Sequence, residues 1–249
     1  MSRFIDKLKQ ASQSGPQPMG FRKEKSASRP GLLLVAEVKD AAAGVVEGAD
    51  AVLVEGAVKK PPAKTDLPMG IRLSGGKAGK LEGIDFVVFA PETPVIIAGG
   101  EEIGKVMVVE ASLEVGLLRV LKDLPLDALF ITGDGAQAQA VTWQYLMLCR
   151  RLSTISDKPV LAAVPPDVSR DELQMLWDAG VDGVVAAGKT AGGLKRLRSL
   201  IDGLTLPAKH KEIKARGIVP SLGEEATLAI EEEGGRWQKS QRAILLRPF

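Results

Sequence analysis

Eight short apolar runs recur through the middle of the chain, and no other feature limits the possible folds as much. They are Leu32–Val38, Ala51–Glu55, Met69–Leu73, Phe86–Ala90, Val106–Glu110, Ala128–Thr132, Val160–Val164 and Val181–Ala186. Each is rich in Leu or β-branched residues, and most are flanked by Gly, Pro or Asp. Continuous apolar runs of this length read as strands buried on both faces, as in parallel sheets. A small signature precedes several of them: Gly48-Ala49-Asp50, Gly83-Ile84-Asp85, Leu126-Asp127 and Gly180-Val181-Asp182. It predicts a tight turn into the strand at the same point of each unit. Helical patterns separate the later runs, at Leu113–Leu124, Ala136–Leu152, Ser169–Ala179 and Leu194–Ile201. Ser169 with Glu172 has the spacing of a capping box. Alternating strand and helix implies a parallel sheet, and eight such units imply one closed (β/α)8 barrel of the TIM type.

The first half departs from that scheme. Residues 56–68, 74–83 and 91–104 are rich in Pro, Gly or Lys, so reduced helices are expected after strands two, three and four. The outward faces of those strands then need another cover, because soluble chains seldom expose large apolar patches. The N-terminal helix, the C-terminal extension or a second copy could supply it, and a homodimer helped by the extension is the expectation. The resulting division is an N-terminal helix and connection at 1–30, the barrel at 31–204 and an extension at 205–249. The helix is expected from Phe4, Ile5 and Leu8.

Charge and composition exclude several function classes. Lys and Arg total 33 against 31 Asp and Glu, too balanced for a nucleic-acid-binding surface. The single cysteine, Cys149, cannot form an intramolecular disulfide, and it sits among apolar residues as a core side chain would. The chain opens without an apolar signal core and has no long apolar run, so a cytoplasmic protein without membrane contact is expected. His210 is the sole histidine, so neither a His-based metal site nor a Ser-His or Cys-His pair is expected. No metal or cofactor is implied. Trp143, Tyr145 and Trp177 read as packing residues, and Lys195, Arg196 and Arg198 as a solvated helix face.

Barrel active sites lie at the C-terminal ends of the strands. The first run ends Glu37-Val38-Lys39, and alternation puts Glu37 and Lys39 on the face of Leu33 and Val35. An acid and an amine on the barrel axis can transfer protons, since each shifts the other's pKa; an ion pair at the rim would look the same in sequence. Glu55, Arg72, Ser74 and Glu110 end other runs and would converge on the same mouth. Asp134 reads as a turn or capping residue. After the eighth run, Gly188-Lys189-Thr190 lies in a Gly-rich turn whose backbone N–H groups could hold a phosphate. It lacks the upstream glycine of a nucleotide P-loop.

The early helix, the polar connection and then Val35-Ala36-Glu37-Val38-Lys39 resemble the start of indole-3-glycerol phosphate synthase, one of the ribulose-phosphate-binding barrels. The resemblance implies active-site roles for Glu37 and Lys39, with Lys39 as acid, and for Glu110 as the functional glutamate of the fifth strand. The chain departs from that family elsewhere: Arg72 occupies the region of its third-strand lysine, and Val164-Pro165-Pro166-Asp167 replaces its Ser-Gly phosphate loop. Two functions follow as expectations. One is a barrel that binds a small anionic or phosphorylated metabolite, with lyase or isomerase chemistry if active. The other is a non-catalytic barrel serving as a structural or assembly partner.

Overall fold

The computed structural model describes residues 2–12, 31–39, 46–56, 67–73, 83–95, 102–110, 115–132, 140–188 and 191–205. All belong to the first of two units, Met1–His210; the second, Lys211–Phe249, lies outside the described residues. Ser74, Asp134, Lys189, Thr190, His210 and nearly all of the expected extension also fall outside them.

Eight parallel strands close into a barrel in sequence order. They are β1 (Leu33–Val38), β2 (Ala51–Glu55), β3 (Met69–Arg72), β4 (Phe86–Phe89), β5 (Gly104–Val109), β6 (Ala128–Ile131), β7 (Val160–Val164) and β8 (Gly183–Ala187). Five helices are described: α1 (Arg3–Ser12), α2 (Val115–Val120), α3 (Trp143–Ile155), α4 (Arg170–Asp178) and α5 (Ala191–Asp202). The apolar runs became strands within a residue or two of their expected limits. No helix is found between β1 and β5 among the described residues. The capping box of α4 forms as expected: the Ser169 hydroxyl accepts from the Glu172 N–H, and the Glu172 carboxylate accepts from the Ser169 N–H. Thr142 caps α3 by accepting from the Tyr145 N–H at 3.2 Å, so the described helix starts later than the expected Ala136.

The aspartate that precedes four of these strands has a specific structural meaning. In three of its four occurrences the carboxylate accepts from the backbone N–H opposite it on the preceding strand. Leu34 donates to Asp50 at 2.9 Å, Lys105 to Asp127 at 3.0 Å and Val160 to Asp182 at 2.9 Å. Each bond satisfies an N–H within the first two residues of an odd-numbered strand, at the closed end of the barrel. The turn glycine is needed where φ is positive, as at Gly180 (φ 97°).

Asp85 is the exception, and it shows where the N-terminal helix goes. Its carboxylate accepts from the Ser2 hydroxyl at 2.8 Å and from the backbone N–H groups of Arg3 and Phe4 at 2.9 and 2.8 Å. It therefore caps α1, meeting both the unpaired N–H groups and the positive end of the helix. Phe4, Ile5, Leu8 and Ala11 pack among the inward residues of the strands, and Phe4 stacks on Phe86 with ring centroids 4.2 Å apart. Phe86 has glycines as its register partners on both neighbouring strands, Gly70 on β3 and Gly104 on β5. A Cβ on Gly70 would come within 2.2 Å of the Phe86 ring, and one on Gly104 would meet Ile5 at 2.5 Å. Small residues on β3 and β5 thus make room for the ring and the helix. Lys9 pairs with Asp127 at 3.6 Å, tying the far end of α1 to the same rim.

The helix of residues 3–12 is part of the barrel core and plugs its N-terminal end; it does not cover β2 to β4. The outer faces of those strands are nonetheless buried within a single chain, with Val54, Ile71 and Val87 at 4%, 2% and 1% exposure. Arg198 is likewise more than a solvated residue, since it pairs with Asp50 and Asp202, both at 2.9 Å. Trp177 and Tyr145 are buried as expected, but Trp143 is 75% exposed.

Candidate functional site at the barrel mouth

The inward face of the sheet runs from apolar to charged along the strand direction. Leu33 and Val35 lead to Glu37 on β1, Ala51 and Leu53 to Glu55 on β2, and Gly70 to Arg72 on β3. The period of two that buries the first residues inside the barrel carries the last ones to its C-terminal end.

Glu37 and Arg72 meet there. The Arg72 Nη1 donates to Glu37 Oε1 at 2.7 Å, a short charge-assisted bond. The two strands are not neighbours, so the pair spans the mouth across β2. The guanidinium carbon stands 5.7 Å from the centroid of Phe130, within cation–π range. Phe130 is fully buried below, so its ring forms a shelf that supports the arginine. Both charged side chains keep contact with water, at 26% exposure for Glu37 and 30% for Arg72. The Glu37 carbonyl accepts from the Gly188 N–H at 2.7 Å, so the turn after β8 starts beside the same residue. Glu55 is the register partner of Arg72 and is exposed at the rim.

Lys39 and Glu110 are exposed just beyond the ends of β1 and β5. The described partner of Glu37 is Arg72 on β3, where the sequence had suggested its neighbour Lys39. A side chain two residues further along the same strand projects past the rim, whereas Arg72 reaches inward from across the mouth. Sequence reasoning named Arg72 without its partner and missed Phe130 altogether. The inward parity of Phe130 was a usable signal, being shared with Ala128 on β6.

Tyr145 was read as a packing residue and has a further role at this end. Its hydroxyl lies 3.0 Å from the Ile131 carbonyl and 2.9 Å from that of Ala163, linking the C-terminal ends of β6 and β7 to α3. Burial raises its pKa well above the ordinary phenol value, with Cys149 nearby adding to the shift. Burial likewise pushes the Cys149 thiol up to about 12, so it is protonated and inert at neutral pH. Among the described residues no group of three or more His, Cys, Asp and Glu is placed to hold a metal ion. No helix among them is long and apolar enough to cross a membrane.

No protein-family model matches the chain, and no curated protein matches it by sequence. Solved structures do share its architecture. The tryptophan synthase complex from Pyrococcus furiosus matches with a TM-score of 0.51 and 14% identity, covering 70% of this chain and 98% of that one. Two mutant forms of the tryptophan synthase alpha-subunit from the same hyperthermophile match with TM-scores of 0.51 and 0.52. Each is 15% identical and covers 68% of this chain and 96% of the other. At such identities the likeness establishes the (β/α)8 barrel fold and nothing finer.

Proposed function

We propose that the mouth of this barrel binds a small anionic metabolite, with Arg72 as its principal charged partner. The observation that carries this reading is the Arg72–Glu37 pair on the Phe130 shelf. Only one guanidinium nitrogen, Nη1, is engaged in a described hydrogen bond, to Glu37. The other donors remain to meet an oxyanion, and a guanidinium fork suits carboxylate or phosphate. The turn Gly188-Lys189-Thr190 and Ser74 are proposed to complete the anion site. The likeness to subunits of a synthase supports the view that such a barrel can house a small-molecule site. In a turnover reaction of the lyase or isomerase class, Glu37 would act as base once the ligand draws Arg72 away. Lys39 would act as acid, with Glu110 as a second carboxylate.

Thermal unfolding in the presence of inorganic phosphate and a set of small phosphorylated and carboxylated metabolites tests this. A ligand that binds only the native state raises Tm with concentration. At least one anion should give a saturable rise, and Arg72→Met should weaken it by about tenfold or more, the loss expected of one charge-assisted contact. No rise with any anion, or an unchanged rise in Arg72→Met, would remove the proposal. A second reading, a barrel that serves mainly in assembly, draws on a different surface.

A further inference from the structure

Among the described residues, most of the large apolar side chains left in water lie on two adjacent helices. Leu117 and Val120 on α2 are 53% and 48% exposed, and Leu124 follows one turn later. On α3, Trp143 and Met147 stand one turn apart at 75% and 64% exposure. The helices pack on one another, so these residues share one side of the barrel. They are not displaced core residues. The core face of α3 is already supplied by Tyr145, Leu146, Cys149 and Leu152, and that of α2 by Leu118 with Leu121 beyond it. An exposed tryptophan beside an exposed methionine serves no folding purpose that the core leaves unmet.

The charged residues within these two helices are all basic. α3 contains Arg150 and Arg151 and no acidic residue, while α2 contains Arg119 and is followed by Lys122 and Asp123. Trp, Met and Arg are the residue types enriched where proteins bind proteins. The sign of the charge selects the occupant. A second copy docked about a two-fold axis would set basic residues against basic residues. A bilayer calls for a dense basic cluster, yet Arg150 is turned back onto the Asp178 carbonyl at 3.4 Å. A helix with an apolar stripe and acidic flanks fits both features.

We infer that the α2–α3 face docks an acidic amphipathic helix of a partner protein. Its apolar stripe would lie on Trp143, Met147, Leu117 and Val120, with its carboxylates toward Arg119 and Arg151. The test uses the full chain and two fluorescein-labelled helical peptides of identical apolar stripe, one flanked by Glu and one by Lys. Anisotropy should show the Glu peptide binding, more weakly as salt rises, and the Lys peptide not binding. The paired change Trp143→Ala with Met147→Ala should weaken binding by about tenfold or more. Arg119→Glu with Arg151→Glu should do the same, both variants keeping the wild-type circular dichroism and Tm. The inference is overturned if the Glu peptide fails to bind or if the two peptides bind alike. It is equally overturned if the Trp143 and Met147 changes abolish self-association, or binding to phosphatidylserine vesicles, and leave the peptide unaffected.

Discussion

The two ends of the barrel are built on opposite principles. At the N-terminal end α1 fills the opening with Phe4, Ile5 and Leu8, and Asp85 meets the helix with three hydrogen bonds. At the C-terminal end no described helix fills the opening. The inward residues become Glu37, Glu55 and Arg72, and the one described ion pair among them keeps contact with water. Carboxylates occur at both ends. At the closed end Asp50, Asp85, Asp127 and Asp182 are each committed to backbone N–H groups that the fold must satisfy. At the C-terminal end Glu37 is committed to another side chain, Arg72. The carboxylates of one end hold the fold together, and those of the other are the ones proposed above to meet a ligand.

This contrast can be broken most severely at Phe86. Phe86→Ala empties the space between the two glycine-bearing strands and strips Phe4 of its stacking partner. A loss of about 3–5 kcal/mol is expected from large-to-small changes of this kind, read from the midpoint of urea unfolding. A loss below about 1 kcal/mol would show that α1 does not depend on the ring. Next in size is Asp85→Ala, which leaves the first turn of α1 without its cap. About 1–2 kcal/mol is expected, together with faster amide exchange confined to residues 2–8 and no change in anion binding at the mouth. Smaller again is Glu37→Gln at the C-terminal end. A pair this near to water contributes about 1 kcal/mol or less, so unfolding should barely move while ligand affinity changes. If Glu37→Gln destabilised the chain as much as Asp85→Ala, the division of labour between the ends would fail.

The smallest expected effect is a dependence on alkaline pH localised at the C-terminal end. Tyr145 and Cys149 both have folded pKa values raised by burial. Groups raised in this way contribute stability that is complete below their unfolded values, about 8.5 for Cys and about 10 for Tyr. That contribution is lost as pH rises through those values toward the folded ones. Tm should therefore fall above about pH 8.5, with Cys149→Ala delaying the onset. Hydrogen exchange should rise first at the ends of β6 and β7, which the Tyr145 hydroxyl links. A uniform rise that includes α1 would contradict this.

The mouth residues were legible in the sequence to different degrees. Strand parity placed Glu37 toward the barrel axis, because the side-chain period of two holds from the buried start of a strand to its rim, and their positions at the ends of their runs placed Glu55 and Arg72 at the same mouth. It could not pair them. Whether Glu37 meets Lys39 or Arg72 depends on stagger and on side-chain reach across the mouth, and neither is a local property. The exposed Trp143 illustrates the same limit, since an aromatic residue in a helix reads as core until the register of that helix on the barrel is known.

What the sequence determined by itself is the set of eight strands, their order and their inward parity, together with the capping box of α4. Each follows from local preference and from patterns a few residues long. Only the tertiary structure decided that α1 enters the barrel. Its apolar stripe would suit any complementary surface, and the surface it found exists only after β3, β4 and β5 bring Gly70, Phe86 and Gly104 side by side. The tertiary structure also turned Asp85 from a strand-starting aspartate like its three counterparts into the cap of that helix. A carboxylate takes whichever unpaired N–H groups the fold brings within reach, and that choice is made only when the barrel closes.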